Sequence, residues 1–532
     1  MNNHLIIAPI VTPLLVAALQ LLVGEKRRRM VLALSIASCV ALVLLAAALM
    51  LAVSGDGAPA AVYRLGDWPA RFGIVLVADR LSALMVLLTG VLALALLPYA
   101  LGRWQHRGGH FQPLLQFLLM GLNGAFLTGD LFNLFVFFEV LLAASYGLAL
   151  HGSGARRVSA GLHYIAVNLT ASMLFLLGVS LIFGVTGTLN MAALAELIPH
   201  VPERTRALLH AGAALLGVAF LIKTAMWPLG FWLPRTYAAA SPAVAAMFAL
   251  MTKVGIYVLL RLGLLLFGAG AGPASAHFGS GWMLWGGAAT VAAGVVGMLG
   301  ARDLAKLAGY NVVISSGTLL GAIGLQQPAV TAGALAYLVI STLAIAAFFL
   351  VVGLLASDGD DETDDSLSLE PYEQPGETAA NESLYAQEDE RPVVIPAPIA
   401  MLGVSFSACA LLLAGLPPLS GFLAKFALLA PMLDGGARSG AGVLFALVVV
   451  AGFGTVIALC RAGIQIFWVE PERIFPKVHL VESASIAILL GLCLLLTVLV
   501  ERPLRYLRDT AGQLHAPAGY VHAVLPPGEA AP

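Results

Sequence analysis

Apolar residues fall in long uninterrupted blocks that recur along this chain from residue 5 to residue 501. A helix needs about 20 apolar residues to cross the hydrocarbon core of a bilayer. By that measure the pattern predicts fourteen spanning helices, near 5–23, 30–53, 78–101, 111–129, 131–150, 160–185, 207–227, 241–267, 282–300, 307–325, 329–356, 396–430, 440–462 and 482–501. Backbone polar groups at membrane depth must bond within their own segment, so the expected fold class is an all-α integral membrane protein. The fourth and fifth spans are joined by a very tight turn at Thr128–Asp130. Short amphipathic stretches at 189–200 and 463–479 are expected to lie along the membrane surface.

Composition agrees with the pattern. Of 532 residues, 60% are hydrophobic and only 11% are charged, whereas soluble domains carry about 25% charged residues. The four cysteines, Cys39, Cys409, Cys460 and Cys493, all lie in apolar blocks without CxxC spacing, and read as small core residues. GAGAGPASA at 268–276 lacks the strand–turn–helix setting of a nucleotide site. Neither ATP hydrolysis nor redox chemistry is indicated. No cofactor, metal site or nucleic-acid partner is expected.

Charge separates one segment from the rest. Residues 357–391 hold 13 acidic residues and one arginine, together with Pro371 and Pro375, and are expected to be a disordered acidic loop. A solvated linker and a docking tail for a basic partner are the two readings of it. The first span is followed, not preceded, by a basic cluster at Lys26, Arg27, Arg28 and Arg29, so it is not read as a signal peptide. That cluster predicts an external N-terminus and a cytoplasmic loop at 26–29, and with that orientation 15 of the 28 Lys and Arg residues become cytoplasmic. Arg502, Arg505 and Arg508 run against the bias.

The candidate chemistry is a set of isolated charges inside spans. Glu139 is a single carboxylate near the middle of GDLFNLFVFFEVLLAASYGLAL, residues 129–150. An acidic residue at a helix centre costs about 2.5–3.5 kcal/mol on insertion scales, so it faces the interior and needs a partner. Only Lys223, Lys253 and Lys425 are lysines within spans. Each must pair across helices, shed its proton or face water; a static salt bridge is the alternative to a role in ion movement.

Two of the lysines lie where proline should break the helix. Lys223 precedes Pro228 and Pro234 in the seventh span, and Lys425 follows Pro417 and Pro418 in the twelfth. Interrupted segments at matching places suggest two inverted five-helix repeats, spans four to eight and nine to thirteen. The expected divisions are N-terminal helices at 1–110, a first repeat at 111–267, a second at 282–356 and 396–462, the acidic loop at 357–391, and an amphipathic segment, last helix and tail at 463–532. His163 joins the candidates as part of a proton path, with simple hydrogen bonding as its alternative. Arg261 is expected to snorkel from an outer helix end, and Asp303 with Lys306 to form an exposed pair or cap.

The stretches TGDLFNLFVFFEVLLAASYGL, LIKTAMWPLGFWLPRTY, TKVGIYVLLR and GLPPLSGFLAKF resemble the D subunits of the Mrp-type multisubunit monovalent cation/proton antiporters. More loosely, they resemble the antiporter-like subunits of respiratory complex I and membrane hydrogenases. The resemblance covers spans four to thirteen. It implies a fourteen-helix fold with inverted repeats and broken helices seven and twelve, and places the key residues at Glu139, Lys223, Lys253 and Lys425. The acidic insert departs from the short loop of the family pattern.

The function expected is proton translocation within a hetero-oligomeric Mrp complex in a bacterial inner membrane, exchanging cytoplasmic Na⁺ (Li⁺ or K⁺ as alternatives) for external H⁺. Glu139 would pair with Lys223, and release of that pair would send a proton to Lys253 and Lys425, since burial favours the neutral lysine and a carboxylate the charged one. The rivals are a redox-driven pump module that docks on an electron-transfer arm, and a scaffold subunit whose charges are vestigial.

Overall fold

The structure is a computed structural model that describes residues 4–55, 60–71, 73–103, 109–356, 396–434, 439–469 and 479–525. The acidic segment 357–391 and the second half of the 463–479 stretch lie outside the described residues. The chain opens with α1 (His4–Val23), α2 (Arg28–Ser54), a hairpin of β1 (Ala61–Arg64) and β2 (Val75–Ala78), and α3 (Arg80–Arg103). It continues through α4 (Phe111–Leu127), α5 (Leu131–Ala149), α6 (Ala155–Thr186), α7 (Met191–Leu197), α8 (Glu203–Lys223), α9 (Trp232–Ala239) and α10 (Pro242–Phe267). Next come α11 (Ser280–Leu299), α12 (Leu304–Gly324), α13 (Pro328–Leu355), α14 (Ala397–Ala414), α15 (Ser420–Asp434) and α16 (Ser439–Ile464). The last are α17 (Leu480–Val498), α18 (Glu501–His515) and α19 (Ala518–Val524).

Among the described residues, 13 helices are long and apolar enough to cross a membrane; α4 and α15 are shorter apolar helices. The protein is an all-helical, multi-pass membrane protein apart from the hairpin. The hairpin is a correction to a purely α expectation: its strands pair antiparallel from Ala61↔Ala78 to Arg64↔Val75. Helix α10 is buried along its whole length and α12 and α13 nearly so, while α1, α2, α6, α14 and α17 turn much of their surface outward. Those outward faces are apolar, as a lipid-facing surface must be.

Local chemistry sets the helix starts. Asp130 accepts from Asn133 N (2.9 Å) at the head of α5, and Asp303 accepts from Ala305 N (2.9 Å) at the head of α12, each satisfying a backbone donor the helix leaves open. The tight turn before α5 is tied to the hairpin by Gly129 N donating to Val75 O at 2.8 Å. The far end of α5 leads to Arg156, which bonds Asp303 at 2.8 Å. Helices α5 and α12 therefore begin at opposite ends of the bundle and run in opposite directions. Asp303 pairs with Arg156 and not with Lys306, which is exposed.

Other expectations need correction. The 189–200 stretch forms α7 and a 3₁₀ turn at Ile198–His200, and packs one face, with Met191, Ala192, Ala193 and Leu194, into the fold. It touches α10 and α19. Cys460 is exposed, unlike the buried Cys39, Cys409 and Cys493. Beyond the last span the chain adds α18, whose Leu507, Ala511 and Leu514 are buried, and which packs on α13. Arg261 does not snorkel; it is buried and paired with Asp79.

Candidate functional site

Both proline-bearing spans are interrupted. Helix α8 stops at Lys223, the chain is non-helical from Thr224 to Phe231, and α9 resumes at Trp232. Pro228 lies within this break. Pro234 does not, because it occupies the first turn of α9, where the missing N–H has no helical partner to lose. Carbonyls freed at the end of α8 find donors: Trp232 Nε1 bonds Ile222 O at 3.2 Å and Thr224 Oγ1 bonds Leu221 O at 3.0 Å.

The second break, Gly415–Leu419, contains Pro417 and Pro418 and separates α14 from α15. Gly415 closes α14 in the left-handed region (φ 76°), where glycine carries no Cβ penalty. A Cβ there would also meet Lys425 Cδ at 2.5 Å, so the glycine lets the lysine stem pass. Gly421 lies within α15, and a Cβ on it would lie 2.0 Å from Leu412 O. Lys425 Nζ then donates to Leu413 O (2.9 Å) and Ala414 O (2.7 Å), the last carbonyls of α14. A cation there meets both orphan acceptors and the negative end of the helix dipole.

The remaining candidates lie on a run of touching helices, α5–α6–α8–α10–α12–α13–α15. Lys253, fully buried on α10, donates to Ser315 Oγ on α12 at 2.7 Å. Ser315 donates in turn to Ser341 Oγ on α13 at 3.0 Å. Ser341 and Lys425 line one small cavity with Asn311, Tyr337 and Thr455. A hydroxyl both donates and accepts, so the two serines join Lys253 by hydrogen bonds to the wall of the cavity at Lys425.

Lys223 is buried, and its ammonium sits 4.4 Å from the centre of the Phe138 ring. It donates to Asn168 Oδ1 on α6 at 2.8 Å. The direct Glu139–Lys223 ion pair expected from sequence is not formed in this conformation: Glu139 Oε1 is buried without a hydrogen-bond partner. His163 is not brought to the lysines. Its imidazole is exposed on the outward face of α6 and contacts Ser159 O of its own helix at 3.3 Å. Sequence reasoning missed Asn168 as a lysine partner, and missed Ser315 and Ser341 altogether; a neutral amide or hydroxyl inside an apolar helix gives no charge signal. Among the described residues no cluster of His, Cys, Asp and Glu could hold a metal ion.

Comparison with known proteins gives this arrangement a family. A family model described as NADH:quinone oxidoreductase/Mrp antiporter, TM, matches residues 128–371, a range that holds Glu139, Lys223 and Lys253 but not Lys425. The D subunit of a probable K(+)/H(+) antiporter of Rhizobium meliloti is 50% identical over 98% of this chain and 98% of its own length. The D subunit of the Na(+)/H(+) antiporter of Bacillus subtilis is 33% identical over 98% of this chain and 99% of its own. Among solved structures, a chain of the Mrp complex from Dietzia sp. DQ12-45-1b superposes with a TM-score of 0.81 at 28% identity, covering 99% of this chain and 100% of that one. A chain of respiratory complex I from Thermus thermophilus superposes at 0.74 with 22% identity, over 97% of this chain and 99% of that one, a likeness of fold alone.

The chain belongs to the D subunits of the Mrp-type cation/proton antiporters, within the transmembrane family shared with NADH:quinone oxidoreductases. It is a transporter subunit of a multisubunit membrane complex, not an enzyme. The redox-driven module is set aside, because both of these relatives are antiporter subunits.

Proposed function

We propose that this subunit carries protons along the line Glu139, Lys223, Lys253 and Lys425, with Ser315 and Ser341 as neutral links, in exchange for a monovalent cation. The observation that carries the reading is where the lysines are seated. Lys223 and Lys425 stand at helix breaks, and Lys253 joins the second break through two hydroxyls and a shared cavity. When Glu139 approaches Lys223 it favours the charged amine, and when it withdraws, burial favours the neutral one, so the proton passes on. The transmembrane potential supplies the drive, about 2.3 kcal/mol per charge per 100 mV.

The finer architecture belongs to the same reading. Counting α4 as a span and α14 with α15 as one broken span gives fourteen, and pairs 111–267 with 282–356 and 396–462 as inverted five-helix repeats. The opposite directions of α5 and α12, each opened by an aspartate cap, support that inversion. We place the hairpin face outside the cell and the Lys26–Arg29 loop in the cytoplasm of a bacterial inner membrane, from the basic cluster.

For the cation, sequence alone put Na⁺ first. The relative at 50% identity is called a probable K⁺/H⁺ antiporter subunit and the one at 33% a Na⁺/H⁺ antiporter subunit, and we place K⁺ first on that difference. The test is cation-driven dissipation of ΔpH in inverted vesicles from an antiporter-deficient host carrying the whole complex. K⁺ should dissipate ΔpH at lower concentration than Na⁺. The reverse order would return the assignment to Na⁺, and no response to either cation would reject exchange.

A further inference from the structure

Lys223 lies between two helices and makes its one hydrogen bond to the unexpected one. Its Nζ is bonded to Asn168 Oδ1 on α6 at 2.8 Å, while the ammonium rests on the ring of Phe138, the residue before Glu139 on α5. The orientation of the Asn168 amide follows from its other bond. Asn168 Nδ2 donates to Tyr164 O at 2.7 Å, and a backbone carbonyl can only accept, so Oδ1 is the atom left to face the lysine. Asn168 is 1% exposed and Lys223 6%, so water does not compete freely for either.

The acceptor carries no charge. A carboxylate binds a protonated lysine far better than a neutral one, whereas an amide oxygen accepts an N–H from either form. The seat is also braced. The Tyr164 hydroxyl bonds Ser145 Oγ of α5 at 2.7 Å, and its ring lies 5.3 Å from Trp232, which caps the broken end of α8 through Ile222 O. Helices α5 and α6 and the α8–α9 break therefore meet around Tyr164, whose backbone carbonyl holds the Asn168 amide.

We infer that Asn168 is the second seat of the Lys223 side chain: the lysine alternates between Glu139 on α5, where it is held charged, and Asn168 on α6, where it is free to give up its proton. The conformation described here is the Asn168-seated one, which accounts for the unpartnered Glu139 Oε1. Asn168 acts through Lys223 and is a positioning residue. The inference rests on the proposed proton line and deepens it.

The test uses the complete complex in inverted vesicles, with Asn168→Asp, Glu139→Gln and the combined swap compared at matched amounts of assembled complex. Asn168→Asp places a carboxylate of almost unchanged shape against Lys223 and should trap it charged, lowering exchange by about tenfold or more. In the swap the charged and neutral seats trade places, and exchange should reappear at about a tenth of the wild-type rate, where Glu139→Gln alone shows none. Residues that only pack a helix interface have no reason to rescue each other in this way. Wild-type rates in Asn168→Asp, or a swap no better than Glu139→Gln, would overturn the second seat. Should Asn168→Asp fail to assemble, the swap decides alone. Wild-type exchange in Glu139→Gln itself would instead defeat the proton line on which the inference rests.

Discussion

Arg261 on α10 and Asp79, the residue before α3, form a buried two-bonded ion pair. Arg261 donates one bond to Asp79 Oδ1 at 2.8 Å and another to Oδ2, and its guanidinium lies between the rings of Tyr257 (5.4 Å) and Tyr520 (5.3 Å). This pair fastens the most buried helix to the hairpin end and to the C-terminal helix α19. Removing one partner leaves a buried charge without its counter-charge, so Asp79→Ala should destabilise the protein by about 3–5 kcal/mol. The amount of complex recovered in mild detergent measures this, and normal recovery and melting would contradict the role.

The same pair sets a pH expectation. Burial alone would raise the Asp79 carboxyl, but the charge and hydrogen bonds of Arg261, with the bonds from Ser82, outweigh it and hold the group below its ordinary 3.8. A lowered carboxyl stabilises the fold above the unfolded value and stops doing so as pH falls through the folded one. Melting of the wild-type complex should therefore take no pH dependence from this pair between about pH 5 and 8. A melting temperature that rises or falls with Asp79 titration inside that window would show that the pair is not intact.

Ser315 and Ser341 stand in series between Lys253 and the Lys425 cavity. Ser315→Ala should lower exchange by about tenfold, Ser341→Ala by a similar factor, and the double variant by no more than either alone. Multiplying losses would mean that the hydroxyls work separately. Full activity in Ser315→Ala would remove the relay.

His163 gives the opposite expectation. Its ring is exposed on the outward face of α6, away from the lysine seats, so His163→Ala should leave exchange within about twofold of wild type, as surface changes usually do. A tenfold loss would return it to the path.

The charged part of the candidate site was legible because charge is rare in an apolar helix. Glu139, Lys223, Lys253 and Lys425 announce themselves by cost, and Pro228, Pro417 and Pro418 mark breaks because proline removes a backbone donor. Pro234 misled because the same residue is harmless in a first helical turn, and only the position of the break tells which turn it occupies. Arg261 looked like a snorkelling residue because its partner is 182 positions away, behind a hairpin whose four-residue strands are too short to stand out between two spans. Asn168, Ser315 and Ser341 gave no warning, since neutral polar groups are cheap in helix interfaces and only contact geometry separates a lysine seat from ordinary interhelical bonding.

The central claim is that Glu139 governs the charge of Lys223, and Glu139→Gln tests it most directly. The substitution keeps the side chain's shape and removes only its charge. In inverted vesicles holding matched amounts of the assembled complex, cation-driven ΔpH dissipation should be abolished by Glu139→Gln and by Lys223→Ala, with the double variant no worse than either. Glu139→Asp, which keeps the charge one methylene short, should retain part of the activity. Dissipation at the wild-type rate in Glu139→Gln vesicles would contradict the account and leave Glu139 a structural residue of α5.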